Sequence, residues 1–259
     1  MRNKSKWVLI IILVVLMVGM VGCERKHEIH SEGYYQYIII GKENRFPLNR
    51  EDEYVAIVGL TELGQEQRVL EIPRDIDGKE VICLGYDVGG TMMGTMYYHL
   101  ESPILERMYI HDNILKIETE ALYKLRKNDL NLLYCGTNPI ELHDIVKVTV
   151  YKEIYDEVDE HFYIMPDGRK LHYWMKADLI PANVVFMNNY SGEENRGYYW
   201  LDNIKNGEKI TEPPMPEREG YRFVGWYTDA ELKNIWDFST EIEIEEDSEF
   251  RLYAGWQTI

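Results

Sequence analysis

The chain has 259 residues, of which 45% are hydrophobic, and its 45 acidic and 28 basic residues give a formal charge of −17. This hydrophobic content supports one or two globular cores and excludes a wholly disordered chain. The negative charge repels phosphate backbones and anionic headgroups, which excludes nucleic acid as a partner.

The first 22 residues have the layout of an export signal. Arg2, Lys4 and Lys6 precede an uncharged run from Trp7 to Gly22, an order typical of a signal peptide. The run has 16 residues, whereas a membrane-spanning helix needs about 20. The sequence therefore predicts a signal peptide over residues 1–22, with an uncleaved membrane helix as an alternative.

The end of this run, Val18–Cys23, resembles the lipobox of bacterial lipoprotein signals, with a small Gly22 before Cys23 and Met20 where the family most often has Leu. The resemblance implies lipid on Cys23 and attachment to the outer face of a membrane. Two acyl chains hold a protein stably, because each buried CH₂ contributes about 0.8 kcal/mol. Cleavage removes three basic residues and no acidic one, so the formal charge becomes −20. A cleaved signal without lipid is the other alternative.

Residues 23–33 are charged and lack apolar periodicity, which predicts a tether. The alternation in Tyr34–Ile40 then predicts a first strand. After lipidation Cys83 and Cys135 remain, far too few for a disulfide scaffold. Because both lie in apolar, strand-like runs, we expect buried thiols.

A repeated pattern follows. Short strand-like runs occur at Val69–Pro73, Leu105–Ile110 and Leu130–Cys135. The second interval is one repeat of about 20 to 29 residues. Measured from Ile72 to Ile110 and from Ile110 to Leu133, the first interval is 15 residues longer than the second, which matches a loop-like insertion around Gly89–Thr95. After Ile110, the apolar residues up to Leu122 predict a second short strand and a helical turn.

These segments resemble the BspA-like leucine-rich repeats. Leu105–Leu122 is the best copy, Val69–Gly85 resembles the first turn, and Lys147–Val158 resembles the closing segment. Leu122 stands where the family usually has Phe, and His111 where it has the strand-end proline.

The resemblance implies a short, irregular solenoid over residues 34–160, in which each turn stacks its strand beside the previous one. Solenoids present extended faces to partners. We therefore predict that the sheet surface with strands near Leu70, Met108 and Leu132 is the contact surface.

Residues 161–181 are predicted to be a linker, with a turn signal at Pro166–Gly168 and a break at Pro181. Beyond it, Val184–Phe186 predicts a strand and Gly207–Ile210 a turn into another. Pro213–Pro216 predicts an extended connector.

The segments Gly220–Tyr227, Trp236–Phe238 and Leu252–Trp256 resemble the Listeria-Bacteroides repeat, also called the internalin B-repeat. The resemblance covers residues 182–257 and implies a small β-grasp-like domain of surface proteins at 182–259. The predicted fold is therefore mainly β, with a repeat solenoid followed by this domain.

The aromatic residues of this last domain have two interpretations. They could form a stacking platform for sugars or peptides, provided that they share one exposed face. A domain of about 75 residues has few other ways to bury apolar area, so a core is favoured. The set comprises Tyr221, Phe223, Trp226, Tyr227, Trp236, Phe238, Tyr253 and Trp256.

Other reactive residue types give no clear site. The seven histidines, of which only His27 and His30 are closely spaced, show no convergent metal ligands. The acidic residues within 241–247 lack the pattern of a calcium loop, so a solvated edge is favoured. No nucleophile elbow, phosphate loop or dinucleotide fingerprint occurs. We expect neither a catalytic site nor a cofactor.

The leading hypothesis is a lipid-anchored bacterial cell-surface protein, attached through Cys23, that mediates non-catalytic protein interaction or adhesion. Its expected partner is an extracellular protein or glycan. One alternative makes the last domain a spacer that lifts the repeats from the envelope. Another is an extracellular carbohydrate-binding module or enzyme, on the strength of the aromatic residues and the acidic charge.

Overall fold

A computed structural model describes residues 27–41, 52–91, 94–118, 120–136, 141–142, 147–151, 163–164, 170–171, 178–192, 197–245 and 248–259. The predicted signal peptide and Cys23 lie outside the described residues. The fold is mainly β, as the sequence predicts.

The N-terminal two thirds contain sixteen of the described strands. They are β1 (His30–Glu32), β2 (Tyr35–Ile40), β3 (Tyr54–Leu60), β4 (Val69–Glu71), β5 (Asp75–Ile76), β6 (Lys79–Leu84), β7 (Tyr86–Thr91), β8 (Gly94–Tyr98), β9 (Arg107–His111), β10 (Lys116–Ile117), β11 (Asn131–Cys135), β12 (Glu141–Leu142), β13 (Lys147–Val150), β14 (Tyr163–Ile164), β15 (Lys170–Leu171) and β16 (Asp178–Pro181). One helical turn, α1 (Glu62–Gln65), begins after Thr61, whose hydroxyl accepts a hydrogen bond from the Gly64 amide. A 3₁₀ helix spans Tyr123–Asn128, slightly later than the predicted helical turn.

Two sheets of parallel strands lie face to face around the first core. Strands β3, β6, β10 and β12 form one parallel ladder, which β1 and β2 extend in antiparallel fashion. The second sheet has the order β16-β13-β11-β9-β4 and is parallel throughout. From β9 to β13 the chain alternates between these sheets, so each new strand lies beside one from an earlier turn.

The register of the second sheet aligns apolar residues in a ladder. Leu70, Met108, Leu132 and Val148 are paired across β4, β9, β11 and β13, and all four are buried in the core between the sheets. Full burial of a large aliphatic side chain contributes about 1.5 to 3 kcal/mol. A single turn could not bury this ladder alone, because each side chain needs neighbours from the adjacent strands.

Three segments differ from their predicted roles. The described part of the tether contains β1, which pairs with β2. The loop-like insertion at Gly89–Thr95 falls within the β7–β8 hairpin. The linker contributes β16, which pairs with β13 in the second sheet. Each gives its backbone groups hydrogen-bond partners that an isolated loop would lack.

The C-terminal unit contains four strands, in the sheet order β18-β17-β20-β19. Their bounds are β17 (Val184–Met187), β18 (Tyr198–Asp202), β19 (Tyr221–Tyr227) and β20 (Phe250–Thr258). The central pair is parallel and the outer pairs are antiparallel. The predicted turn at Gly207 is followed by a single bridge, Lys209 to Glu241, rather than by a strand.

Strand β18 joins the two parts of the molecule. Its alternate residues face the outer side of the second parallel sheet. The Trp200 ring lies 4.5 Å from the Tyr109 ring, and the Tyr198 ring lies 4.5 Å from the Tyr151 ring. The Tyr198 hydroxyl also donates to the Gly136 carbonyl. These contacts belong to one buried cluster that includes residues of both parts.

After Tyr198 and Trp200, Asp202 is the third residue of β18 that faces the second parallel sheet. Its side chain is only 1% exposed. It forms an ion pair with Arg107, accepts a hydrogen bond from the Tyr109 hydroxyl at 3.3 Å, and accepts another from the Asn203 amide at 2.6 Å. The Arg107 guanidinium also donates to the Asn203 carbonyl at 3.1 Å. Burial raises the pKa of Tyr109, so its hydroxyl keeps the proton that it donates. Each oxygen of the buried Asp202 carboxylate thus has at least one donor.

Replacing Arg107 by Ala should therefore destabilise the chain strongly. Removing one partner leaves Asp202 as an uncompensated buried charge, which costs about 3 to 5 kcal/mol. The matched control is Arg68→Ala, since Arg68 forms an exposed ion pair with Glu106 that contributes about 0 to 1 kcal/mol. Urea denaturation measures both. Equal losses in the two variants would contradict this account of Asp202.

Gly85 should be intolerant of a side chain. Its φ is +75°, and an added Cβ would lie 2.6 Å from the Cβ of Ala121. Gly78 has a φ of +68° with nothing within 4 Å of such a Cβ. Each Gly→Ala change should lower the free energy of unfolding by roughly 1 to 2 kcal/mol, because alanine is strained in the left-handed region. Gly85→Ala should lower the free energy of unfolding by about 1 to 3 kcal/mol more than Gly78→Ala, because its Cβ would overpack the core. The difference between the urea midpoints of the two variants measures this effect.

Candidate functional site

The outer face of the second parallel sheet, which the sequence predicts to be the contact surface, is largely covered. Leu70, Met108 and Leu132 point into the core between the sheets. The outward residues Tyr109 and Leu133 are buried against the C-terminal unit. The contact-surface prediction is therefore wrong for β9 and β11, because β18 occupies that face.

The aromatic residues of the C-terminal unit form a core, as favoured by the sequence. Trp226 is 1% exposed and its ring lies 4.9 Å from that of Phe186, edge to face. Four members of the set pack partly buried against the same cluster, namely Phe223, Trp236, Phe238 and Trp256. These residues do not form one exposed stacking platform.

A groove remains open at the outer edge of β19, and we call it the β19 groove. Its volume is about 660 Å³. Met215 and Pro216 of the Pro213–Pro216 connector form one wall, and Pro213 and Pro216 are buried. A turn at Gly220, where φ is +74°, leads from this wall into β19. The lining residues are Met215, Pro216, Glu217, Arg218, Glu219, Tyr221, Arg222, Phe223 and Ile259.

Arg218 is the best-positioned charge in this groove. Its guanidinium carbon lies 3.6 Å from the ring centroid of Tyr221 and 4.2 Å from that of Tyr190. The Trp256 ring is 5.9 Å away, and its Nε1 donates to the Asn188 carbonyl at 2.7 Å. Each exposed cation–π contact contributes about 0.5 to 1 kcal/mol. The guanidinium covers ring faces on which a sugar would otherwise stack.

A second cleft of about 620 Å³ lies where β16 meets the C-terminal unit. Its asparagine side chains are already used in the fold. Asn183 Nδ2 donates to the Ile204 carbonyl at 2.7 Å, and Asn206 Oδ1 accepts from the Ile244 amide at 2.9 Å. Glu241, Glu243 and Glu245 of the acidic run are exposed to solvent, whereas residues 246 and 247 lie outside the described part. The cleft therefore offers few uncommitted polar groups.

Potential metal ligands are dispersed among the described residues, where no group of three or more His, Cys, Asp or Glu side chains could hold an ion. The rings of His27 and His30 contact Tyr86 and Tyr37, respectively. His111 Nε2 lies 2.9 Å from a Glu71 carboxylate oxygen. His143, His161 and His172 are outside the described part. Cys83 and Cys135 are both buried, as predicted.

Sequence reasoning missed the residues that connect the two parts and those that build the groove. Alternate residues of Tyr198–Asp202 face the second parallel sheet, and the aromatic content of this run was a signal that could have identified β18. Arg218 had no such signal, because its ring partners Tyr190 and Trp256 are distant in sequence.

The described helices are all too short to cross a bilayer. The apolar run of residues 7–22 lies outside the described part.

Comparison with known proteins finds matches to parts of the chain. Two proteins of Evansella cellulosilytica, named "Putative membrane protein" and "Putative Gly-rich membrane protein", are 49% and 45% identical to this chain over 51 residues. These matches cover 20% of this chain but only 7% and 6% of the two relatives. Residues 183–255 match the family model of the Listeria-Bacteroides repeat domain, in agreement with the resemblance seen in the sequence.

Proposed function

We propose that this chain is a lipid-anchored bacterial cell-surface protein that binds a partner without catalysis. The observation that carries the proposal is the match of residues 183–255 to the Listeria-Bacteroides repeat domain, together with the signal-like segment ending in Cys23. The names of the two Evansella relatives agree with a location at a membrane.

The proposed architecture is a short BspA-like solenoid followed by a β-grasp-like unit. Alternation of the chain between two parallel sheets supports stacked turns. The mixed sheet of the C-terminal unit, with its central parallel pair β17 and β20, supports the β-grasp-like assignment. Buried contacts between β18 and the second parallel sheet hold the two units together.

These buried contacts bear on the spacer alternative. A spacer could be deleted without harm to the repeats. Deleting residues 182–259 from this chain would instead expose Tyr109 and Leu133, and would leave Arg107 without Asp202. The C-terminal unit is thus better described as part of one scaffold, and the carbohydrate-binding alternative loses the ring faces that Arg218 covers.

Lipidation is tested by growing cells with an alkyne-labelled fatty acid and comparing wild type with Cys23→Ser. We expect label on the wild-type chain and none on the variant, because only a thiol at the lipobox position accepts the diacylglycerol. Cys83→Ser is the matched control and should be labelled like wild type. Equal labelling of the Cys23→Ser variant would refute the lipid anchor.

Non-catalytic binding is tested by capture from bacterial and host surface extracts on the full chain held in detergent micelles. We expect a surface protein that is retained, is displaced by excess soluble chain, and is recovered with unchanged mass. An unrelated protein of similar negative charge is the control bait. A partner recovered in a cleaved or modified form would argue for an enzyme, and retention of glycans alone would favour the carbohydrate-binding alternative.

A further inference from the structure

Strand β19 is an end strand of its sheet, and β20 is its only partner among the described strands. Its outer edge is closed at both ends, where the Tyr221 amide donates to the Arg218 carbonyl at 3.1 Å and the Trp226 carbonyl accepts from the Trp236 amide at 2.7 Å. Between these points, strand alternation directs the backbone N–H and C=O of Phe223 outward. No described residue supplies a hydrogen-bond partner for them on that side.

Phe223 also lines the β19 groove, which has an apolar wall. This wall includes Met215, which is 69% exposed, and Ile259, which is 89% exposed. An extended peptide at the edge would place alternate side chains on such a wall. Main-chain bonds supply affinity in this kind of strand addition, and the flanking pockets supply specificity.

Arg218 favours a bound peptide that carries a negative charge. Stacking against Tyr190 and Tyr221 restricts the guanidinium, and no carboxylate among the described residues is paired with it. The neighbouring Arg222 bonds to the neutral side chain of Gln257. A guanidinium that is held in place and lacks a carboxylate partner suits two-point recognition of a carboxylate. Glu217 and Glu219 line the same groove, which disfavours a densely acidic segment.

We propose that the open edge of β19 accepts an extended segment of a partner polypeptide as an added strand, with one carboxylate of that segment on Arg218 and apolar side chains along the β19 groove. This inference rests on the proposed binding function and names its surface. A second copy of the chain fits less well, since each copy carries a formal charge of −17 and like charges repel on approach.

The test is selection of random decapeptides, displayed on phage, against the full chain in detergent micelles. The selected peptides should carry a carboxylate among apolar residues. Arg218→Ala should weaken their affinity by about tenfold or more, the effect of losing a hydrogen bond to a charged group. Arg218→Lys, which keeps the charge but loses the planar fork, should give a smaller loss. Arg251→Ala is the matched control, because Arg251 forms its ion pair with Glu249 outside the groove.

Amide exchange provides a second readout that does not depend on the variants. Bound peptide should slow exchange at Phe223 by about tenfold or more, as expected when a solvent-exposed amide gains a hydrogen bond. No enrichment of peptides, equal affinity for Arg218→Ala, or unchanged exchange at Phe223 would each overturn the proposal. Slow exchange without peptide in a dimeric chain would instead assign the edge to a second copy.

The surface-capture experiment separates this inference from the proposed function. If the captured partner binds Arg218→Ala as tightly as wild type, the β19 groove is not its site and the binding function stands. If no partner is captured while peptides still bind at β19, the proposed function fails and the groove remains a peptide site.

Discussion

The Asp202 carboxylate is the constraint on which the relation between the two parts of this protein depends. A charge that is 1% exposed is tolerated only if donors surround it. Arg107 and Tyr109 come from β9, whereas the Asn203 amide comes from the C-terminal unit. Because the donors are divided in this way, the carboxylate is satisfied only when β18 lies against the second parallel sheet.

The rings beside this charge add area to the same contact. Trp200 packs on Tyr109, and Tyr198 packs on Tyr151 while its hydroxyl donates to the Gly136 carbonyl. Aromatic pairs supply apolar burial, and the polar contacts fix the register in which it occurs. The outcome is one scaffold in which the outer face of β9 and β11 is an internal interface. That face is therefore covered and is not open to a partner.

The exposed edge of β19 is what this arrangement leaves available. Sheets commonly protect an end strand by covering or charging it, and here Trp236 and the Arg218 segment cover only its two ends. Phe223 lies between them and lines a groove that combines apolar residues with the Arg218 guanidinium, which has no carboxylate partner among the described residues.

Local pattern in the sequence determined the signal-like segment, the short apolar strands, the buried thiols and the aromatic core around Trp226, because each depends on neighbours within a few residues. The resemblance of residues 182–257 was equally local, since its aromatic and glycine positions occur in a fixed order. Only the tertiary structure decided that Leu70, Met108 and Leu132 point inward while Tyr109 and Leu133 face β18. A period of two shows that a strand has two faces, but it does not show what covers either one. Likewise, the charge of Arg218 is evident in the sequence, whereas its position between Tyr190 and Tyr221 depends on residues that only folding brings together.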